Sequence, residues 1–188
     1  PEAYAQIEAG IWCDRLWNNS GTTVTTTTAQ AVNSVAFPSR CLDGTANGLG
    51  VMVGLEVATA TTNAGAITTI TLDYTNDAGT AGRVATIASF PTTCVVNSFI
   101  PFRLQAGDTG VRSIQNITLG TSLVTGAINI VAYIPVMLAG YVSTSRPEPG
   151  NLDRALTRLR PSTCLFQLEH RSVTTAQTFS GSIVVTNG

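Results

Sequence analysis

The stretch that decides the fold runs from Ala66 to Leu119, and residues 66–90 read AITTITLDYTNDAGTAGRVATIASF. In the first ten of these residues, alternate side chains fall on opposite sides of an extended chain. The more apolar side carries Ala66, Thr68, Ile70, Leu72 and Tyr74. A period of two with one apolar side is the pattern of a half-buried β-strand.

Turn-forming residues follow this strand at positions 76–79, which read Asn-Asp-Ala-Gly. Asn and Asp side chains can hydrogen-bond their own backbone, and Gly accepts a positive φ without a steric cost. Residues 81–90 then resume an apolar run that is rich in β-branched side chains. The sequence therefore predicts a β-hairpin.

The rest of the chain repeats this pattern of short apolar runs separated by turn signals. The predicted strands outside the hairpin are Ala31–Phe37, Val51–Thr59, Cys94–Leu104, Val111–Leu119, Ala127–Ile134, Val136–Ser143, Thr163–His170 and Thr178–Thr186. Pro101 places its strand on an edge or at a bulge, Pro135 separates two strands, and Gly54 indicates a bulge or a close approach. One short helix is predicted over Asn151–Arg160, ended by Pro161.

Many short strands without βαβ alternation predict an all-β fold, an antiparallel β-sandwich over residues 31–188. A jelly roll is the form that we favour. Residues 1–30 are interpreted as an N-terminal arm and linker, because residues 21–30 form a Thr-rich tract. Trp12 and Trp17 are candidate interface anchors in that arm, since Trp is favoured at interface hot spots. Packing in the core or at a sheet edge is the alternative for both.

The composition indicates a protein that lies against other subunits. The chain has 188 residues, of which 44% are apolar and 11% are charged, against about 25% charged in typical soluble domains. A net charge of −1 gives no global attraction to nucleic acid or to an anionic membrane. No apolar run approaches about 18 residues, so we expect no transmembrane helix.

The sequence offers no evident site for a metal or a cofactor. The cysteines at positions 13, 41, 94 and 164 have no close C-x-x-C spacing, and the chain has one histidine. We expect neither a metal nor a cofactor, and we interpret the cysteines as buried free thiols. Three disulfide pairings remain formally open.

No catalytic constellation stands out either. Asp108-Thr109-Gly110 matches the short core of aspartic proteases, but three residues in a Gly-rich region fit a tight turn better. His170 has no evident nucleophile or metal partner beside it in sequence, and no Gly-x-Ser-x-Gly elbow occurs. We therefore expect a protein that is not an enzyme.

Four segments carry a family resemblance. They are DRLWNNSG (residues 14–21), TLDYTNDAGTAGRVATI (71–87), PFRLQAGDTGVRSIQNITL (101–119) and CLFQLEHRSVTTAQTFSGSIVV (164–185). Together they resemble a group of tailed-phage and prophage virion structural proteins. The resemblance implies a part of a virion assembled in the bacterial host cytoplasm, where reducing conditions favour free thiols.

The leading hypothesis is a capsid decoration or cement subunit that stabilises the assembled head. Its partners would be the major capsid protein or other virion proteins, and further copies of itself, with a trimer suggested by analogy with phage shell proteins. Arg154, Arg158 and Arg160 are candidate interface residues, because Arg pairs well with carboxylates of a neighbour; a solvated face is the alternative. The second hypothesis is a tail or head-fibre module that binds host-surface carbohydrate.

Overall fold

The computed structural model describes residues 9–63, 69–91, 93–140 and 159–170. These residues form ten strands and no helix. The strands are β1 (Ala9–Asn19), β2 (Gln30–Ala31), β3 (Met52–Thr62), β4 (Ile70–Asn76), β5 (Arg83–Ile87), β6 (Thr93–Cys94), β7 (Phe99–Pro101), β8 (Val111–Leu119), β9 (Thr125–Gly140) and β10 (Leu165–His170).

The hairpin predicted from the central stretch is confirmed. β4 and β5 pair in antiparallel register from Ile70 with Ile87 to Tyr74 with Arg83. The Asn76 side-chain carbonyl accepts the Thr80 backbone N–H at 2.8 Å, and Gly79 has φ +86°. The turn therefore uses an Asn side chain and a left-handed Gly, as its composition predicts.

The strands form two antiparallel sheets. A six-stranded sheet has the order β10-β1-β9-β3-β6, with β7 also paired to β3, and a four-stranded sheet has the order β2-β8-β4-β5. Consecutive strands cross repeatedly from one sheet to the other, so each sheet contributes one face to the interior. The all-β, antiparallel sandwich predicted from the sequence is confirmed.

The sandwich core lies between the two sheets. In β4, the alternation read from the sequence places Ile70, Leu72 and Tyr74 in the core, all fully buried. The fully buried aromatic and aliphatic side chains also include Leu55, Phe90, Phe102, Ile114, Ile117, Leu119, Leu123 and Ile128. Burial of this apolar surface is the main source of stability for such a fold.

The interpretation of residues 1–30 as an N-terminal arm is wrong for residues 9–19. These residues form β1, which lies inside the six-stranded sheet between β9 and β10. Antiparallel pairing on both sides satisfies the β1 backbone, so this segment is integral to the sandwich and the proposed boundary at residue 30 does not separate it. Residues 1–8 lie outside the described residues.

Pro135 does not separate two strands, because β9 continues through it to Gly140. A register shift in the pairing with β1 occurs there, between Trp12 and Cys13. The pairing of β9 with β3 ends at Tyr133, so the missing N–H of Pro135 costs no bond on that side. At Pro135, β9 pairs with a neighbour on one side only, and such an edge position tolerates a proline that a central position in a sheet would not.

Three further expectations have mixed outcomes. The strand expected over Cys94–Leu104 is divided into β6 and β7, and Pro101 lies on the short β7 at the sheet margin. All four cysteines are free, but Cys164 is exposed rather than buried. A helix is expected over Asn151–Arg160, but residues 151–158 lie outside the described residues. The strand expected over Thr178–Thr186 also lies outside them.

Candidate functional site

The outer face of the six-stranded sheet, turned away from the sandwich core, carries an apolar patch. Along β3 and β9, Val53 and Ala132 point into the core, while Met52 and Val131 point to the outer face. The outer-face patch consists of the partly buried Ile11, Met52, Phe99, Phe166 and Leu168, over a buried floor of Cys13, Val131 and Tyr133. A soluble protein usually keeps such a sheet face polar, so this patch is the first candidate for a contact surface.

Three aromatic rings make up the centre of the outer-face patch. The ring centroids of Phe99 and Tyr133 are 5.3 Å apart at an interplanar angle of 83°. Those of Tyr133 and Phe166 are 6.0 Å apart at 79°. Edge-to-face packing of this kind holds each ring against the electron-rich face of the next. The patch is therefore a fixed aromatic surface.

Gly54 explains how closely the Phe99 ring approaches the sheet. A Cβ at Gly54 would come within 2.3 Å of two ring carbons of Phe99. The glycine interpreted from the sequence as a bulge or close approach is thus a close approach, and it makes room for a side chain of the patch.

A charged group borders the patch. The Arg15 guanidinium donates to both carboxylate oxygens of Glu56, at 2.5 and 3.2 Å, and its central carbon lies 5.1 Å from the Phe166 ring centroid. Asn129 also donates to Glu56, at 3.0 Å. The hydrogen bond from Arg15 is the main reason that the pKa of Glu56 is lowered. The charges here neutralise each other, which leaves the border of the patch polar without a net charge.

The patch continues onto a three-stranded extension beyond the pairing with β3. The extension comprises residues 9–14 of β1, 134–140 of β9 and 165–170 of β10, with Ala9 opposite both Gly140 and His170 at its tip. Trp12 lies between Gln167 and Met137 in this register, on the face opposite Ile11. Large apolar side chains therefore occur on both faces of the extension.

A buried ion pair anchors the base of the extension. Arg40 donates from Nε to Asp14 Oδ2 at 2.7 Å and from Nη2 to Oδ1 at 3.1 Å. Asp14, only 5% exposed, also accepts the backbone N–H of Cys164 at 2.8 Å. This carboxylate therefore ties together β1, the loop before β3 and the chain entering β10.

A cavity of about 240 Å³ lies beside this ion pair, lined by Asp14, Arg40, Leu42, Pro135, Leu159 and Arg160, among others. Arg160 enters it from the segment before β10, and a Cβ at Gly44 would be 2.9 Å from its guanidinium. The lining combines the Arg40–Asp14 ion pair, the Arg160 cation, the Cys41 thiol, the Thr163 hydroxyl and aliphatic side chains.

The Asp108 side chain, only 3% exposed, accepts three side-chain hydrogen bonds. It accepts hydrogen bonds from the Tyr74 hydroxyl, from Asn76 Nδ2 at 2.8 Å and from Arg83 Nε at 2.9 Å. The bond from Arg83 is the largest cause holding its pKa well below the usual range. Burial, followed by the bond to Asp108, raises the pKa of Tyr74 to about 12.

This network fixes the turn before β8 against the central hairpin. The Asp108 N–H donates to the Gln105 carbonyl at 3.1 Å, and the Gln105 N–H donates to the Tyr74 hydroxyl at 3.0 Å. Asp108 thus closes the turn that begins at Gln105, and Thr109-Gly110 leads from this turn towards β8, with Gly110 in an isolated bridge to Leu49. Because its donors already occupy the carboxylate, Asp108 is arranged to hold the turn.

The candidate interface residues named from the sequence lie in different places. Trp12 lies on the three-stranded extension and Arg160 at the cavity. Trp17 packs against the sandwich core, with its ring centroid 6.3 Å from that of Phe37. Arg154 and Arg158 lie outside the described residues.

Sequence reasoning missed most of the outer-face patch. Phe166 and Leu168 alternate within the strand predicted over Thr163–His170, but Phe99 lies in a segment without clear alternation and Tyr133 in a continuous apolar run. Neither has a period-two signal that separates an outer face from a core. Only the tertiary arrangement brings these rings together.

No family model, curated protein or solved structure matches the chain. Among the described residues there is no group of three or more His, Cys, Asp or Glu side chains that could hold a metal ion. Within the same residues, no helix is long and apolar enough to cross a membrane.

Proposed function

We propose that this protein is a non-enzymatic structural subunit of a phage virion, a capsid decoration or cement protein that stabilises the assembled head. The observation that carries the proposal is the outer-face patch. A rigid aromatic and aliphatic surface on the outside of a sandwich is suited to burial against another protein, where such residues are enriched.

The low charge of the chain supports this function. Only 11% of its residues are charged, and six of these charged residues neutralise each other in the ion pairs Arg15–Glu56, Arg40–Asp14 and Arg83–Asp108. Contacts between uncharged surfaces avoid the desolvation penalty of isolated charges. A subunit that binds only the assembled shell then stabilises that state by mass action.

The strand order supports a jelly roll as the form of the sandwich. β1, β9, β3 and β6 are neighbours in one sheet, and β2, β8, β4 and β5 are neighbours in the other. This alternation is the order expected when two Greek keys are wound together, an arrangement that recurs in viral shell proteins. β10 is then an addition beside β1.

The carbohydrate-binding alternative has weaker support. Such a site would use exposed aromatic rings beside acidic and amide groups that are free to bind a sugar. Glu56 and Asn129 lie beside the outer-face patch, but Arg15 and Asn129 already donate to that carboxylate, and Trp17 packs against the core. Trp12 is half-buried on the extension. We therefore propose protein partners: the major capsid protein or another virion protein, and further copies of this chain, with Trp12 and Arg160 as additional candidate contacts.

The test is binding of the purified protein to heads of the phage or prophage that encodes it. Wild-type protein is expected to co-sediment with heads in tens to hundreds of copies and to raise their thermal stability. Met52→Glu places a charge in the outer-face patch and should weaken binding at least tenfold. Val84→Glu is the matched control, because Val84 is 40% exposed on the other sheet and should bind as wild type.

Two results would contradict the proposal. One is wild-type protein that does not co-sediment with heads at any concentration. The other is binding in only a few copies at the tail, which the fibre alternative predicts. Circular dichroism of both variants would verify that the sandwich remains folded.

A further inference from the structure

A concave pocket of about 530 Å³ lies on the outer face of the four-stranded sheet. Thr75 follows the buried Tyr74 in β4 and therefore faces outwards, and Ser113 of β8 lies opposite it in the register. Both line the pocket, together with Ala36, Ala46, Asn47, Gly79 and Arg112. Within this lining, all of which the structure describes, Arg112 carries the one charge and there is no carboxylate.

A β-bulge in β8 places Arg112 on the pocket side of the sheet. The register between β4 and β8 shifts just after Thr75, and Arg112 is the extra residue at this shift. The flanking Val111 and Ile114 are both buried, so Arg112 and Ser113 are two consecutive side chains on the outer side. In a regular strand one of them would face the core. Bulges re-aim side chains in this way and are frequent beside functional sites.

The loop before β3 forms a wall of the pocket beside Arg112. A Cβ at Gly48 would lie 2.6 Å from the Arg112 Cα, so a glycine is required for this close approach. Asn47 precedes it, and its backbone N–H donates to the Thr45 hydroxyl at 3.0 Å. The Arg112 guanidinium extends to the hairpin turn, where a Cβ at Gly79 would be 3.4 Å from Nη1. Arg112 thus lies between a closely packed loop and the turn.

Several hydrogen-bond donors at the pocket have no acceptor among the described residues. They are the Arg112 guanidinium, the Thr75 hydroxyl and the Asn47 side-chain amide. The Ser113 hydroxyl accepts a bond from Gln115 Nε2 at 2.8 Å, which leaves its own O–H available to donate. The pocket therefore offers donors from four side chains.

This set of donors suits a carboxylate. The planar fork of Arg112 matches the two oxygens of a carboxylate, and such bonds are among the strongest in proteins. The nearest acidic residues along the chain are not in the lining. Asp73 accepts from Asn116 Nδ2 at 3.4 Å, and Asp77 accepts from the Thr109 hydroxyl at 2.8 Å. Neither forms an ion pair with Arg112 in the described structure.

We propose that this pocket, the Arg112 pocket, binds a carboxylate supplied by an Asp or Glu side chain of a partner protein. One cation matches the single charge of a carboxylate, whereas a phosphate group carries nearly two. The described lining has no aromatic ring on which an acidic sugar could stack. The pocket and the outer-face patch belong to different sheets, so a subunit could contact neighbours on both faces. That the partner is a virion protein rests on the proposed function, whereas the carboxylate site does not.

The first experiment is an NMR titration with N-acetylglutamate N-methylamide, which carries a Glu side chain and no other charge. The Asn47 side-chain amide should shift in a saturable way, with a dissociation constant on the order of millimolar. The neutral glutamine counterpart should give no saturable shift. Arg112→Gln should weaken binding by about tenfold or more. Arg103→Gln is the matched control, because Arg103 is exposed and lies outside the lining.

Three results of the titration would overturn the proposal. One is wild-type protein that does not saturate with the glutamate probe, and another is Arg112→Gln that binds the probe as wild type does. The third is saturation by inorganic phosphate or glucuronate at lower concentrations than by the glutamate probe, which would assign the pocket to a different ligand.

The second experiment tests the partner by co-sedimentation with phage heads. Arg112→Gln should bind heads about tenfold more weakly than wild type, and Arg103→Gln should bind as wild type. Val84→Glu remains a valid control, because β4 separates Val84 from β8 by roughly 10 Å, where salt screens the added charge. Equal binding of wild type and Arg112→Gln would refute a virion partner at this pocket. Wild-type protein that does not bind heads would refute the proposed function, and the titration would still decide the carboxylate site.

Discussion

Removing the Arg40 side chain is the sharpest test of what holds the extension to the sandwich. Arg40→Ala deletes both hydrogen bonds to Asp14 and the bond from Nη2 to the Arg15 carbonyl at 3.1 Å. The side chains of Arg40 and Asp14 are 12% and 7% exposed. The variant therefore leaves a largely buried carboxylate without its counter-charge.

The expected loss in the free energy of unfolding is about 3 kcal/mol. Breaking a buried ion pair typically costs about 3–5 kcal/mol. The lower end applies because the Cys164 N–H still donates to Asp14 and the adjacent cavity can admit water to the carboxylate. For a domain of this size, a loss of about 3 kcal/mol lowers Tm by about 6–12 °C.

Urea and thermal unfolding, followed by circular dichroism, measure this loss. Glu56→Gln is the comparison, because the side chains of Glu56 and Arg15 are both 23% exposed and such a pair is worth about 1 kcal/mol or less. A double-mutant cycle of Arg40→Ala with Asp14→Ala isolates the coupling between the two residues. If Arg40→Ala cost no more than Glu56→Gln, the buried ion pair would not be an anchor and the reasoning would fail.

Three other perturbations give distinct readouts. The pKa of Asp108 is lower in the folded protein than in the unfolded chain, so the loss of stability in Asp108→Asn should be greatest at neutral pH. The difference in Tm between this variant and wild type should shrink as the pH falls below about 4. A difference in Tm that does not depend on pH would argue against the Arg83 contact. Gly54→Ala should cost about 1–3 kcal/mol by overpacking against Phe99, measured by urea unfolding, and an unchanged midpoint would show that the ring moves freely. A thiol reagent should label Cys164 rapidly and the other three cysteines only on unfolding, because those three are buried. Labelling of all four cysteines at the same rate in the folded protein would contradict this arrangement.

The sequence by itself determined the class of fold. The period-two pattern at Ile70, Leu72 and Tyr74 defines a core face without any knowledge of the partner strands. Asn76 and Gly79 define the turn through their own backbone chemistry. These features are local, because each depends on residues within a few positions of each other along the chain, so they could be read directly.

Tertiary structure decided which sheet positions these strands occupy. The Thr-rich tract after β1 and the two tryptophans in β1 favour an arm, yet pairing with β9 and β10 places β1 inside the sheet. Pro135 is tolerated because β3 no longer pairs with β9 there. In both cases the deciding partner is far away in sequence, and local propensity carries no information about it.

The outer-face patch belongs to the same class of feature. Phe99, Tyr133 and Phe166 come from three different strands of the six-stranded sheet, and each would be read alone as an ordinary core residue. They share one surface only because the register between the strands sets their side chains on the outer face together. A one-residue shift in any of these pairings would move that strand's ring into the sandwich core, so the surface exists only once the sheet has been assembled.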